Sequence, residues 1–338
     1  MRVLPPSCLP SLLVLSLALI GAPITAASHA RGAWRGHALI QTRGPSLRPG
    51  SALGDSQVPL ERAEEGDTPV LSFRSQRGPV RLLLDTGAAS TMVTSAVAQR
   101  LGLSQRRLAP ERFSLAGGGV TCAAQSLFSA RLPPLQLPGE PGRPGFRLAG
   151  AEALVIPGPA LPRGVDGVLG ASALRQVPVM VDPVANVLAL GPAALRWRQT
   201  RVASPRIVPL AWRRGVPLLP LRVRPAAGGL PTTLNALADT GAEGVFLTAA
   251  LAERLTPLHP SQPARLVGVC GWQEVRRQHL FGLAIGAETL PTRSVEAIIL
   301  TNPVFPLLEV EAIVGQTLLR EHRQLWRLDL HPPRLELW

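Results

Sequence analysis

One stretch of this chain occurs twice, and it limits the possible folds more than any other feature. Leu82-Leu83-Leu84-Asp85-Thr86-Gly87-Ala88 has a close counterpart in Ala236-Leu237-Ala238-Asp239-Thr240-Gly241-Ala242. In each copy an apolar run with strand character drives into Asp-Thr-Gly. This predicts a carboxylate at the end of a buried strand, beside a glycine that lets backbone N–H groups come close. The register continues past the turn: Thr94, Ala96, Ala98, Arg100 and Leu101 meet Thr248, Ala250, Ala252, Arg254 and Leu255, all at the 154-residue offset of the two aspartates. A short helix is expected after each turn. Val58-Pro59-Leu60 pairs upstream with Val208-Pro209-Leu210, and residues 165–170 pair downstream with 311–315 after shifts of a few residues. An internal duplication of roughly 130–150 residues predicts two related lobes.

One carboxylate in a turn is only an acid, whereas two brought face to face share a proton and polarise a water held between them. With these motifs in view, each half resembles a retropepsin-like aspartic protease domain. The pair resembles a single-chain, two-lobed version of the retropepsin dimer, over roughly residues 58–192 and 207–338. The resemblance implies a mostly β fold of two retropepsin- or pepsin-like β-barrel lobes with the active site between them. It implies Asp85 and Asp239 as the dyad, Gly87 and Gly241 orienting the carboxylates, and the hydroxyls of Thr86 and Thr240 reaching the backbone of the opposite lobe. No cofactor and no metal are expected. The halves part company just after the turn, where the first keeps Ser90-Thr91 and the second has Glu243-Gly244-Val245. Glu243 is expected to add negative charge near Asp239 and push the upper limb of a bell-shaped pH profile toward neutrality.

A strand near Phe113–Leu115 runs into Gly117-Gly118-Gly119, and the second half offers Val267-Gly268-Val269-Cys270-Gly271-Trp272. Glycines between strand-like runs fit an ordinary turn; their position relative to the aspartates identifies them as flaps folding over substrate in the family resembled. Trp272 is a candidate to cover a substrate side chain or, equally, a packing residue. Cys122 and Cys270 both fall in these segments. Since flap tips of a retropepsin-like dimer meet above the dyad, the two are candidates for a disulfide, which needs Cα atoms within about 7 Å. The other reading is two separate thiols.

Residues 1–30 read as a secretory signal: Met1-Arg2, an apolar run from Leu9 to Ile20, then small residues suited to cleavage after Ala27 or Ala30. An uncleaved anchor would be short for a membrane span. A periplasmic or secreted protein is expected, touching membrane only if the signal stays. Residues 31–57, rich in Arg, Gly, Pro and Ser, read as a mobile linker or as a basic prosegment covering an acidic cleft. The lobes are expected at 58–195 and 206–338, with the boundary in 191–205 and a surface loop over Pro-rich 133–144. Asp166 reads as structural.

The net charge of +13 invites a nucleic-acid reading, but every basic residue is Arg and they are scattered rather than blocked. No two-histidine metal spacing occurs on a helix, Gly170-Ala171-Ser172-Ala173-Leu174 lacks the last glycine of a nucleophile elbow, and no phosphate-cradling glycine loop is present. The function expected is an aspartic endopeptidase, monomeric as an intrachain pseudo-dimer, acting on peptide held extended between the lobes. The competing reading is a secreted peptide-binding module of the same fold without hydrolysis.

Overall fold

The computed structural model describes residues 39–338, except 65, 110–113, 118–126, 157–160, 201–202, 228, 269–270 and 287–293. The duplication seen in the sequence is repeated strand for strand. In the first half, one path of eight strands runs Glu61–Arg62, Pro69–Phe73, Val80–Asp85, Gly167–Gly170, Met92–Thr94, Glu152–Ile156, Phe128–Arg131, Gln105–Arg107. In the second half the main path runs Ala211–Arg213, Val216–Val223, Thr232–Ala238, Ala312–Val314, Val245–Leu247, Val295–Ile299, Gly271–Phe281, Thr256–Pro257. The two paths alternate parallel and antiparallel neighbours in the same places. Each aspartate strand pairs in parallel with the apolar strand that ends in glycine, Gly167–Gly170 or Ala312–Val314 with Gly315 after it. That strand pairs antiparallel with Met92–Thr94 or Val245–Leu247.

The strand ending in Asp85 is apolar on both faces because it runs inside the lobe: Leu82, Leu83 and Leu84 are all buried. The helices that follow, Ser95–Arg100 and Ala249–Glu253, begin at equivalent caps. The Thr94 hydroxyl accepts from the Val97 N–H at 3.3 Å and the Thr248 hydroxyl from the Leu251 N–H at 3.2 Å.

A third sheet, of six strands, joins the halves. Its order is Arg206–Pro209, Arg334–Leu337, Gln324–Arg327, Val179–Asp182, Val187–Leu190, Ser56–Pro59, three strands from each half, meeting where Val179–Asp182 pairs antiparallel with Gln324–Arg327. The main apolar cluster runs through both halves without a break, from Leu71 and Phe73 to Leu319 and Trp326.

Three expectations about connecting segments need correction. The stretch read as a mobile linker contains strand β1, Leu39–Arg43, and a second short strand, Ala52–Leu53; both are held by pairing with distant partners, which local composition does not reveal. The Pro-rich loop contains Leu135–Gln136, paired with Arg147–Leu148, and buries Leu135 and Leu137 in the core. The presumed boundary holds a helix, Pro192–Gln199, with Pro192 in its first turn, Ala193 and Ala194 buried, and the Ala193 N–H donating to the Asp55 carboxylate at 2.8 Å. Asp166 is tied to the fold, as read: it accepts from the Arg81 N–H at 2.9 Å and pairs with Arg100 at 2.9 Å. Among the described residues no helix is long and apolar enough to cross a membrane.

Candidate active site

The two Asp-Thr-Gly turns meet at the junction of the halves and are locked by a reciprocal set of buried hydrogen bonds. The Thr86 hydroxyl donates to the Ala238 carbonyl at 2.6 Å and accepts from the Thr240 N–H at 3.0 Å. Thr240 mirrors it, donating to the Leu84 carbonyl at 2.7 Å and accepting from the Thr86 N–H at 3.0 Å. One hydroxyl thus satisfies a donor and an acceptor of the other half, and neither turn can move without breaking bonds in both. Threonine suits the position because its short, stiff side chain offers one donor and two lone pairs.

Beneath each turn the parallel strand passes very close. A methyl group on Gly170 would overlap the carbonyls of Ser90 and Ala88, and one on Gly315 those of Ala242 and Gly244. The chain then bonds upward into the turn, Ala171 N–H to the Ala88 carbonyl at 2.6 Å and Gln316 N–H to the Ala242 carbonyl at 2.9 Å. Gln316 adds a bond without a counterpart in the first half: its buried Nε2 donates to the Thr240 carbonyl at 2.7 Å. Across the junction the glycines face the opposite carboxylates. A methyl on Gly87 would overlap the Asp239 carboxylate, and one on Gly241 the Asp85 carboxylate.

The carboxylates are therefore close, buried and fixed. Asp85 Oδ1 accepts from the Ala88 N–H at 3.0 Å and Asp239 Oδ1 from the Gly241 N–H at 2.9 Å. Each Oδ2 is buried and receives no donor from the described residues. Burial pushes Asp85 well above the ordinary carboxylate range, and the negative charge of Asp239 adds to the rise. Asp239 is raised to about 7, chiefly by burial, with the N–H groups of the turns opposing it. Two such groups cannot both ionise cheaply, so the pair holds one proton over a wide range and titrates jointly.

The structure brings Asp85, Asp239, Thr86, Thr240, Gly87 and Gly241 into one site. Gly117 ends the strand Ser114–Gly117, which pairs with β1, while Gly118, Gly119 and Cys122 lie outside the described residues. In the second half Gln262–Gly268 and Gly271–Phe281 form a hairpin in which Gly268 faces Gly271 and Val267 faces Trp272. Cys270 lies outside the described residues, as does the Trp272 side chain, so the bridge between Cys122 and Cys270 has no structural account.

Glu243 does not turn toward the dyad, which corrects the expectation for it. Its carboxylate accepts from the Asp67 N–H and from the Thr68 hydroxyl, both at 2.8 Å, while Arg320 of the second half pairs with Asp67. Burial raises the Glu243 pKa and these two donors partly offset it. The residue is a latch between halves. Gln41, missed in the sequence reading, lies against the first turn: its N–H donates to the Gly87 carbonyl at 3.2 Å and its carbonyl accepts from the Ala89 N–H at 2.6 Å. The signal that could have found it is the short β-prone run Leu39-Ile40-Gln41-Thr42 within an Arg- and Gly-rich stretch.

No curated protein matches the chain. Among solved structures, the chain is similar to conglutin gamma, a basic 7S globulin from lupine seeds, at 12% identity over 84% of this chain and 94% of that one, with a TM-score of 0.48. It is similar to an aspartic proteinase from Irpex lacteus at 14% identity, over 84% and 96%, with a TM-score of 0.48. Basic 7S globulin from soybean follows at 11% identity, over 84% and 95%, with a TM-score of 0.41. Residues 72–173, which hold Asp85 and the glycine strand beneath it, match the aspartyl protease family.

Proposed function

We propose that the chain is an aspartic endopeptidase whose two halves supply one aspartate each. The observation that carries this reading is the pair of buried Oδ2 atoms, without a donor among the described residues, on two turns locked face to face. A water between them satisfies both. The proton on Asp85 passes to the oxygen of the scissile carbonyl, while Asp239 takes a proton from the water as its oxygen adds to the carbonyl carbon. The tetrahedral diol collapses as Asp239 protonates the departing nitrogen and Asp85 recovers a proton from the diol. No covalent intermediate forms and no cofactor enters.

The substrate on this reading is a peptide or protein segment in extended form, gripped by main-chain hydrogen bonds from the flap strands above and the turns below. The protein acts as a monomer, in the periplasm or outside the cell, after loss of residues 1–30. A digest of a peptide library tests the reading: the wild type yields defined cleavage products, and Asp85→Asn and Asp239→Asn yield none. Binding of library peptides without any product would instead assign a peptide-binding module, and wild-type turnover in either variant would break the dyad.

A further inference from the structure

The halves also meet around a cavity of about 520 Å³ that none of the candidate active-site residues lines. Its floor is apolar. Leu47 from the first half and Leu328 from the second are buried members of the main core, and Trp212 packs half-buried against the same core. Arg175, Gln176 and His331 supply the polar part of the wall.

These polar groups are mostly donors with nothing to donate to. Among the described residues the Arg175 guanidinium has no acidic partner and the Trp212 indole N–H has no acceptor. An indole N–H that has left bulk water ordinarily finds one. Gln176 has no capacity to spare: its Oε1 accepts from the N–H groups of Ser51 and Ala52, both at 3.1 Å, and its Nε2 donates to the Arg48 carbonyl at 2.9 Å. No Asp, Glu, Ser or Thr among the described residues lines the cavity. His331 completes the wall with an imidazole that donates from one nitrogen.

That balance selects the ligand. Each hydroxyl of a sugar or other polyol brings a proton that needs an acceptor, which these side chains do not supply. A carboxylate brings acceptors only, its two oxygens match the fork of one guanidinium, and its single charge matches the single arginine. The apolar floor calls for an apolar body behind that head.

We propose that the junction cavity is a binding site for a small carboxylic acid with an aromatic or aliphatic body. The carboxylate sits on Arg175 and the Trp212 N–H, and the body lies over Leu47 and Leu328. The acid thereby bridges the two halves. The inference stands apart from the endopeptidase reading, because the dyad takes no part in it.

Calorimetric titration of the full-length chain with cinnamate, and with cinnamamide as a neutral ligand of the same body, tests it. Cinnamate is expected to bind roughly tenfold more tightly than the amide, the weight of a charge-assisted hydrogen bond, and to raise Tm. Arg175→Gln erases that preference by weakening the acid about tenfold. Trp212→Phe, which keeps a ring and deletes the N–H, weakens it roughly fivefold, about the worth of one hydrogen bond. Asp85→Asn, altered only at the dyad, binds cinnamate as the wild type does. Equal affinity for acid and amide overturns the inference. So does an affinity for cinnamate that neither Arg175→Gln nor Trp212→Phe changes, or the absence of binding by either ligand at millimolar concentration. The comparison of acid with amide on the wild type decides the matter even if a variant fails to fold, and none of these outcomes bears on peptide cleavage.

Discussion

The two Asp-Thr-Gly turns agree where they touch each other and differ where they do not. Their inner portions, from Leu84 to Ala88 and from Ala238 to Ala242, exchange equivalent bonds at nearly equal lengths. Their outer portions do unrelated work: Ala89 and Ser90 grip β1, whereas Glu243 crosses to Asp67 and Thr68 of the first half. Reciprocity explains the split. A change on the inner face of one turn must be answered by the other, while an outer residue answers only to its own neighbours.

The severest way to break the comparison is to remove one carboxylate at a time. If the inner faces share one proton-transfer cycle, Asp85→Asn and Asp239→Asn each lower kcat by at least about 10²–10⁴-fold, the usual worth of general acid–base catalysis, with the fold retained by circular dichroism. A variant that lost activity only slightly would show that one aspartate does the chemistry alone. Gly87→Ala and Gly241→Ala come next, since each new methyl overlaps the opposite carboxylate. Both are expected to abolish activity and to lower Tm, and equal losses would sharpen the equivalence.

The threonines test the lock itself. Thr86→Val or Thr240→Val strands one buried N–H and one buried carbonyl in the opposite half, a cost of roughly 1–3 kcal/mol for each group left without a partner. Denaturant titration should give similar losses for the two variants; a large difference would mean that the inner faces are equivalent in geometry but not in energy.

The pH dependence of stability follows from the raised carboxyls. Asp239 titrates near 3.8 when unfolded and at about 7 when folded, so between these values the folded chain binds more protons than the unfolded one. Stability on this account is greatest near or below pH 4 and falls as pH rises through about 7, and the raised Asp85 carboxyl carries the fall further upward. Asp239→Asn should flatten that slope, which Tm measured from pH 4 to 8 would reveal. An unchanged slope would show that Asp239 is not the group that sets it.

The smallest expected effect belongs to the outer face. Glu243→Ser removes the acceptor for Asp67 and Thr68 and should cost about 1–3 kcal/mol. It should leave the upper limb of the pH–rate profile in place, because the carboxylate is engaged away from the dyad. A shift of that limb would restore a direct influence on Asp239.

The inner faces were legible in the sequence because they depend on short-range chemistry written twice: the turn, the threonine cap and the glycine strand all recur at near-constant spacing. The outer features were not. β1 has no periodicity of its own, and the partners that make it a strand, Ala88 and residues 114–117, are dozens of residues away. The same holds for Leu135–Gln136 among its prolines. Glu243 was visible as a departure, but its partners Asp67 and Thr68 lie 176 and 175 residues back, and spacing says nothing about which way such a side chain turns. The helix Pro192–Gln199 carries a readable signal in Pro-Ala-Ala-Leu, with proline in the first turn.

The six-stranded sheet has a bearing on how such a chain can be taken apart. Val179–Asp182 and Gln324–Arg327 are hydrogen-bonded neighbours, so cutting between the halves would strip each of them of a flank and leave two raw edges, both lined with buried apolar residues. An exposed edge of that kind templates pairing with whatever strand it meets, the nearest being another copy. A half expressed alone would therefore be driven to rebuild the missing three strands from a second molecule, and the shape it would recover is a symmetric dimer with one aspartate from each chain.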